Sequence, residues 1–343
     1  MTTSLLEEAG CWFLHSGIQE PGGGVARYYR ADLQRNAAVS TEITGYAVSA
    51  LVYLGQTEAA VRAARYLTRE AWDRDSSTFP FEPGSPQAYF FDVGIIVRGL
   101  LAVWRATGEE EFRERAKEAA LSLAFDFAGD GVFHPVIELP EKQPLAYEAR
   151  WSREPGCYQL KSALTWHDLG DEHASKLFDT AVTRALATHE SFLPGAADRE
   201  KVMDRLHAYC YFLEALLAVA ERDDARQALA FGIGRVGGLL REIAPEFERS
   251  DVCAQLLRVR LVAHHLDAVP LDEEAARDEV ERARVYQSDA ADARLRGGFW
   301  FGKKRGEVLP FMNPVSTAFC LQAIALWEQH QRGDWRFELH QLI

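Results

Sequence analysis

The sequence predicts an all-α domain in which six helical hairpins close into an (α/α)6 toroid. One observation is that helical periodicity alternates between segments that are apolar on almost every face and segments with a single apolar stripe. A helix that is apolar all round is buried all round, whereas a striped helix faces water on one side. A second observation is that the apolar segments recur at a nearly constant interval, which is typical of a repeat architecture.

The apolar segments are the predicted inner helices of the ring. In residues 90–104, for example, only Asp92, Arg98 and two glycines interrupt the apolar run. The predicted starts of the six inner helices are Ser40, Gln87, Pro155, Asp204, Asp251 and Pro314. Their successive spacings are 47, 68, 49, 47 and 63 residues, which indicates one repeat length with two loop insertions.

The striped segments are the predicted outer helices. They begin near Glu58, Glu109, Asp171, Asp223 and Asp272, so five follow the six inner helices. A sixth stripe lies at the amino terminus and consists of Leu5, Ala9, Trp12 and Phe13. We therefore expect an amino-terminal helix to pack beside the last inner helix and to close a single domain over residues 1–343. An open α-solenoid is the alternative fold, although its inner helices would be more polar.

The charge balance excludes several classes of partner. The 343 residues contain 38 Lys and Arg against 51 Asp and Glu, a formal charge of −13. This argues against nucleic acid or an anionic membrane as the main partner. No apolar run is long enough for a membrane-spanning helix, and Glu7 and Glu8 interrupt the amino-terminal segment, which has no basic lead. We expect a cytoplasmic protein.

The cysteines and histidines do not form a recognisable metal or disulfide pattern. The five cysteines are scattered and never in Cys-x-x-Cys spacing, so buried thiols are expected. Cys253 and Asp251 have the chemistry of zinc ligands, but no histidine follows at a useful spacing. We expect neither a metal nor a cofactor.

The predicted connections that lead into the inner helices are long and join Pro or Gly to aromatic residues. They are residues 78–86, 131–135, 192–195 and 297–313. In a ring, the amino-terminal ends of the inner helices gather on this face, where free N–H groups suit hydroxyl or anionic ligands. Trp300 and Asn313 are candidate substrate-binding residues in the last connection. The aromatic residues either stack on sugar rings or plug the mouth of the toroid.

Three short stretches carry a resemblance to a known superfamily: residues 22–29 (GGGVARYY), 40–46 (STEITGY) and 89–92 (YFFD). The chain resembles the six-hairpin toroids of carbohydrate-active proteins, which include glycoside hydrolases, polysaccharide lyases, acylglucosamine 2-epimerases and D-glucuronyl C5-epimerases. As architecture the resemblance covers the whole chain, but as sequence only these stretches. It implies a saccharide substrate or ligand in the central funnel. Arg27, Tyr29 and Tyr89 lie in these stretches and are candidate substrate-binding residues.

Two carboxylates are the first candidates for catalysis. Asp92 lies one turn into an apolar helix, where an unpaired carboxylate is costly. It is either buried in a pair with a neighbouring Arg or Tyr, or an acid or base with a shifted pKa. Glu42 follows a potential N-cap, Ser40, and either stabilises the helix terminus or joins Asp92. Two such carboxyls can divide the acid and base roles of glycoside cleavage.

The fourth predicted inner helix supplies a third catalytic candidate. Arg205, His207 and Tyr209 open it at alternate positions. Because alternate residues diverge by about 200° on a helix, at least one of the three is structural. His207 is the candidate for proton transfer, since its ordinary pKa lies near neutrality. The alternative is a hydrogen-bonded core histidine. Arg205 and Tyr209 are candidates for substrate binding.

Three further residues are candidates for substrate binding on the third and fifth inner helices. Tyr158 and Lys161 lie one turn apart and can face the same way. Arg258 lies two turns after Asp251, a potential helix cap, and can pair with Asp251 or with Asp92.

The sequence leaves two classes of function open. The first is a carbohydrate-active enzyme with an acid–base mechanism, in which hydrolysis, elimination and epimerisation each need a placed proton donor and acceptor. The second is a non-catalytic saccharide-binding or scaffold toroid, in which ion pairs account for the buried acids.

Overall fold

A computed structural model describes residues 5–193 and 199–343. Residues 194 and 195 of the predicted 192–195 connection lie outside these ranges. Twelve α-helices lie within them: α1 (Leu5–His15), α2 (Thr41–Tyr53), α3 (Thr57–Tyr66), α4 (Phe90–Thr107), α5 (Glu110–Phe125), α6 (Leu160–Leu169), α7 (Glu172–Phe192), α8 (Arg199–Leu216), α9 (Asp223–Ile243), α10 (Ser250–His265), α11 (Glu273–Arg284) and α12 (Pro314–Arg332).

The helices follow the predicted alternation. The even-numbered helices are the inner segments, and their burial confirms the inference from apolarity, since every residue of α10 from Ser250 to Ala263 is buried. The predicted starts differ most at α8, which begins at Arg199 rather than Asp204, and at α6, which begins at Leu160 rather than Pro155. A strand precedes α4, and a 3-10 turn at Cys157–Gln159 precedes α6, so both helices begin later than predicted.

Eleven strands, each of two or three residues, lie in the connections within the two described ranges. They are β1 (Tyr29–Arg30), β2 (Arg35–Asn36), β3 (Gln87–Tyr89), β4 (Ala128–Gly129), β5 (Val132–Phe133), β6 (Val136–Glu138), β7 (Gln143–Pro144), β8 (Phe247–Arg249), β9 (Gly302–Lys304), β10 (Glu307–Val308) and β11 (Phe311–Met312). They form antiparallel sheets in the orders β11-β1-β2, β10-β9-β8, β3-β6-β7 and β4-β5. Strands β3 and β8 lead directly into α4 and α10.

The described residues divide into two compact units. The first unit comprises Gln19–Arg27 and Ala37–Thr188. In it α4 packs between α2 and α6, and two glycines of α4 permit the close approach. A Cβ on Gly94 would lie 2.3 Å from the Cβ of Ser162, and a Cβ on Gly99 would lie 2.6 Å from the carbonyl oxygen of Gly45. Helices α3 and α5 cover α2 and α4.

The second unit comprises the described parts of Met1–Ile18, Tyr28–Asn36 and His189–Ile343. In it α10 packs between α8 and α12, with α9 and α11 outside them. Helix α1 packs against α12, which confirms the position predicted for the amino-terminal helix. The indole Nε1 of Trp12 donates to the carbonyl of Arg294 at 2.9 Å and attaches α1 to the connection between α11 and α12. None of the helices among residues 5–193 and 199–343 is both long and apolar enough to span a membrane.

Candidate active site

Asp92 is the third residue of α4, in the first unit. Its side chain is 6% exposed, and its Oδ2 has no hydrogen-bond partner among the described residues. Burial raises the pKa of Asp92 well above its usual range; the charge of Glu42 raises it further and that of Arg27 opposes the shift. The shift favours the neutral, proton-carrying form of Asp92.

Glu42 is the second residue of α2, which packs against α4. The hydroxyl of Ser40 accepts from the amide of Ile43 at 3.5 Å, so Ser40 is the N-cap that the sequence predicted, and Glu42 lies in the first turn after it. Burial raises the pKa of Glu42 from 4.5 to about 7, against the charge of Arg27. Since the charge of Glu42 raises the pKa of Asp92, the two carboxyls titrate as a pair.

Arg27 is the cation whose charge reaches both carboxyls. Its Nη2 lies 2.9 Å from Oε1 of Glu82, and its guanidinium lies 4.8 Å from the ring centre of Phe81. Both residues belong to the predicted 78–86 connection. The hydroxyl of Thr41 donates to the carbonyl of Phe81 at 2.8 Å, which fastens this connection to the start of α2.

An aromatic cluster lies next to Asp92. The ring of Phe91 is 6.2 Å from Trp151 and 6.0 Å from Tyr158, and Trp151 is 5.1 Å from Tyr158. Burial and the charge of Asp92 both raise the pKa of Tyr158, so its phenol stays protonated. The phenol donates to the carbonyl of Glu154 at 3.1 Å.

Tyr89 and Lys161 occupy different surroundings. The ring of Tyr89 lies 5.3 Å from Phe81 and its hydroxyl accepts from Nη2 of Arg153 at 2.7 Å, so it borders the same connections as Arg27. Lys161 lies in the first turn of α6 and is fully buried. The structure therefore places Tyr89 nearer to solvent than Lys161.

Four other buried carboxylates are each paired with an arginine. The pairs are Asp168 with Arg98, Glu214 with Arg258, Asp251 with Arg249, and Glu279 with Arg260. Asp92 has no such ion pair within the part of the chain that the structure describes. It thus departs from the pairing that the sequence left as its alternative explanation.

His207 lies in the second unit and both of its ring nitrogens are occupied. Nδ1 lies 2.7 Å from Oε1 of Gln255 and Nε2 lies 2.9 Å from the hydroxyl of Tyr211. An amide oxygen only accepts, so Nδ1 carries the proton and Nε2 accepts from the tyrosine. Burial and the charge of Arg249 lower the pKa of His207 to about 4. This geometry favours the hydrogen-bonded core histidine over the proton-transfer residue.

Arg258 does not form the predicted pair with Asp251. Asp251 is bound by Arg249, and the fully buried Arg258 instead bonds to Glu214 and, at 2.9 Å, to Gln322. The expectation was wrong because Arg249, the residue just before α10, pairs with Asp251 instead. The guanidinium of Arg258 is consequently committed to the core.

Tyr209 and Arg205 also make internal contacts. The hydroxyl of Tyr209 lies 2.8 Å from Nδ1 of His189, and its side chain is fully buried, so Tyr209 is a structural member of the alternating trio, as His207 is. Nη1 of Arg205 donates to the carbonyl of Phe192 at 3.1 Å, and the guanidinium lies 5.1 Å from the centre of the Phe192 ring.

The remaining candidates lie around the last connection of the second unit. Tyr29 is buried in β1, with the guanidinium of Arg294 5.3 Å from its ring centre. Asn313 caps α12, because its Oδ1 accepts from the amide of Val315 at 2.8 Å. Trp300 is half-buried and its carbonyl accepts from the hydroxyl of Ser250 at 2.7 Å. The side-chain oxygen of Asn313 is thus engaged in the fold.

Sequence reasoning missed several neighbours of these residues. Glu82 and Trp151 lie in connections whose paths depend on distant contacts, and no local pattern marks them. The pairing of Arg249 with Asp251 could have been predicted from the pattern Arg-x-Asp. The same pattern forms a hydrogen-bonded pair at Arg30 with Asp32 and at Arg222 with Asp224. No group of three or more His, Cys, Asp or Glu side chains in the described ranges is placed to hold a metal ion.

Comparison with solved structures shows which fold this is. The chain is similar to cellobiose 2-epimerase from Spirochaeta thermophila DSM 6192, at 14% identity and a TM-score of 0.70 over 94% of this chain and 96% of that one. It is similar to a D-mannose isomerase at 10% identity and a TM-score of 0.68, over 95% of this chain and 96% of that one. It is also similar to an unsaturated glucuronyl hydrolase specific for heparin, at 11% identity and a TM-score of 0.68 over 97% of this chain and 98% of that one.

These similarities confirm the predicted fold class. The chain has the (α/α)6-toroid fold of six-hairpin proteins, and the matched lengths cover nearly all of it. No family model matches the sequence, and no curated protein matches it either.

Proposed function

We propose that this chain is a carbohydrate-active enzyme that hydrolyses a glycosidic bond beside Asp92 and Glu42. The observation that carries the proposal is the buried carboxyl of Asp92, which has a raised pKa and no ion-pair partner among the described residues. Leaving a buried carboxyl unpaired costs stability, and such a cost is typical of functional groups.

The protonation states suit the two roles of glycoside hydrolysis. Asp92, whose raised pKa favours its protonated form, gives its proton to the glycosidic oxygen as the bond to the anomeric carbon breaks. Glu42 acts in its ionised form, either by taking a proton from the attacking water or by attacking the anomeric carbon itself. The pKa of Glu42, about 7, makes both of its forms available near neutrality.

Aromatic residues near Asp92 support a sugar as the substrate. Trp151 is half-buried and lies against Phe91 and Tyr158. An aromatic face beside a polar group matches the apolar face and hydroxyl edge of a sugar ring. The solved structures of the same fold include sugar epimerases and glycoside hydrolases, and this supports a saccharide ligand.

Epimerisation is the second candidate. A base with a pKa near 7 is suited to reversible proton transfer next to a carbonyl group, and Glu42 meets that requirement. The similarity to a cellobiose 2-epimerase favours the same reaction class. A non-catalytic saccharide-binding toroid is less well supported, because the four Arg-paired acids follow the structural pattern and Asp92 does not.

The test compares wild type with Asp92→Asn and Glu42→Gln on a panel of oligosaccharides and uronic-acid polymers. Release of reducing ends reports hydrolysis, an unsaturated product reports elimination, and exchange of deuterium from solvent without cleavage reports epimerisation. We expect Asp92→Asn to lower kcat by at least about 100-fold while ligand binding is nearly unchanged. Asp168→Asn, which breaks the buried pair with Arg98, is the matched control.

The control should lose stability and keep the turnover of its folded fraction. Full activity in Asp92→Asn, or a loss of activity in that variant that only tracks a loss of folding, would remove the support for an enzyme.

A further inference from the structure

We infer that Arg27 is a positioning residue of the carboxyl pair. Its guanidinium, held between Glu82 and the ring of Phe81, favours the ionised forms of Asp92 and Glu42 against the effect of burial, and Glu82 acts on the pair through it. The catalytic consequence rests on the proposed function, whereas the protonation state itself can be measured without any substrate.

Backbone pairing places Arg27 beside the first turn of α2. The amide of Arg27 donates to the carbonyl of Ala38 at 3.0 Å, and the amide of Ser40 donates to the carbonyl of Val25 at 3.1 Å. Ser40 is the N-cap of α2, and Glu42 follows two residues later. Arg27 is therefore fixed to the segment that presents Glu42.

Phe81 connects Arg27 to the first turn of α4 as well. Its carbonyl accepts from the hydroxyl of Thr41 at 2.8 Å, at the start of α2. Its ring lies 4.8 Å from the guanidinium of Arg27 and 5.3 Å from the ring of Tyr89. Tyr89 ends β3 and is followed by α4, whose third residue is Asp92. The guanidinium thus sits at the junction of the two segments that carry the pair.

The ion pair between Arg27 and Glu82 is weak. The side chains of Arg27 and Glu82 are 36% and 39% exposed, so their ion pair is screened by water and weak. The charge of Arg27 opposes the rise in pKa of both Asp92 and Glu42. Glu82 offsets part of that charge, so its removal strengthens the field that Arg27 exerts on the pair.

Other charged or titratable groups face this region and stay constant in the test. Tyr158 lies in the 3-10 turn before α6, and Glu154 and Arg153 lie in the segment before that turn. Arg153 is engaged by Glu148 at 3.0 Å. Any change on substituting Arg27 therefore reports Arg27 rather than these groups.

The experiment is a pH titration of the carboxyl C=O stretch of the folded protein by difference infrared spectroscopy. Asp92→Asn and Glu42→Gln assign the bands. We expect Arg27→Met to raise the midpoint of the pair by about 0.5 to 1 pH unit, because a nearby cation favours the ionised carboxyls. Arg27→Lys should restore most of the wild-type midpoint, and Glu82→Gln should lower it.

A matched control is available in the same unit. Arg65 and Glu109 form an ion pair of 3.0 Å with 44% and 37% exposed side chains, close to the values for Arg27 and Glu82. Arg65→Met should leave the midpoint of the carboxyl pair unchanged. Circular dichroism checks folding, and Arg27→Gln replaces Arg27→Met if the latter does not fold.

Three results would overturn the inference. They are an unchanged midpoint in Arg27→Met, an equal shift in Arg65→Met, and a rise rather than a fall in Glu82→Gln. A protein without sugar turnover that still shows the expected shifts would contradict the proposed function and leave the role of Arg27 intact. Conversely, turnover with no shift in Arg27→Met would contradict only the role of Arg27.

Discussion

Arg249 and Asp251 form a two-point ion pair at the start of α10, with Nε 3.0 Å from Oδ1 and Nη2 2.7 Å from Oδ2. Asp92 also lies in the first turn of its helix, α4, and has no comparable partner among the described residues. The two kinds of buried carboxyl should therefore respond to pH in opposite directions, which stability measurements can detect.

Glu42→Gln should stabilise the protein at alkaline pH. Because burial raises the pKa of Glu42 from 4.5 to about 7, the folded protein holds this proton more tightly than the unfolded chain does. The stability that the neutral form provides is complete below pH 4.5 and is lost as the pH rises through about 7. Urea unfolding should show that the free energy of unfolding of Glu42→Gln, relative to wild type, increases by up to about 3 kcal/mol between pH 5 and pH 8. The exposed Glu114→Gln is the control, and parallel curves for the two variants would contradict the expectation.

Asp251→Asn should destabilise the protein, and most strongly near neutral pH. Burial alone would raise the pKa of Asp251, but the charges of Arg249 and His207 and the hydrogen bonds from Arg249 and the amide of Val252 together hold the pKa below its usual value. The ion pair therefore contributes stability above the unfolded pKa, and this contribution is lost as the pH falls through the folded pKa. We expect a loss of about 3 to 5 kcal/mol at pH 7, measured by urea unfolding, that shrinks in acid. A loss that is constant between pH 7 and pH 3 would be inconsistent with this account.

Gly94→Ala should disrupt the contact between α4 and α6. The added methyl would lie 2.3 Å from the Cβ of Ser162, so the helices must separate. We expect a loss of at least about 2 kcal/mol in thermal or urea unfolding. Gly238→Ala in α9 is the matched control, since nothing lies within 4 Å of its new Cβ. It should stabilise the helix by about 0.5 to 1 kcal/mol. Equal effects of the two substitutions would argue against the close packing.

Two buried glutamines should differ in their cost of substitution. Gln322 accepts from Arg258 at 2.9 Å and donates to the carbonyl of Gln341 at 2.8 Å. Gln255 accepts from His207, but its Nε2 has no partner in the described part of the chain. Gln322→Met leaves more groups unpaired and should cost about 1 to 3 kcal/mol, with a smaller loss for Gln255→Met. Urea unfolding of both variants measures the difference, and the reverse order would refute it.

The arrangement of helices could be predicted from the sequence because it depends on burial, which periodicity reports directly. Inner helices such as α10 are buried along nearly their whole length, and the outer ones carry a single stripe. The N-cap role of Ser40 was equally local, since it depends on residues three positions apart. These features need no knowledge of which helix faces which.

The partners of buried charges could not be predicted in the same way. Arg258 bonds to Glu214, which lies in another helix, and that choice depends on how α8 and α10 are rotated about their axes. The surroundings of Arg27 depend on the path of a connection that Thr41 fastens through backbone carbonyls. Periodicity reports which face of a helix is buried but not which atoms meet there. The sequence therefore singled out Asp92 and Glu42 without revealing Glu82.

The division of the chain into two units has a consequence for the order of folding. Apart from residues 19–27, the first unit is one continuous stretch of chain, so most of it can form as soon as residue 188 has left the ribosome. The second unit needs residues from near both ends, since α1 packs on α12 and Tyr29 pairs with Met312. Contacts between such distant positions form slowly. Helix α1 and strand β1 are synthesised well before their partners α12 and β11, and are therefore expected to reach them late.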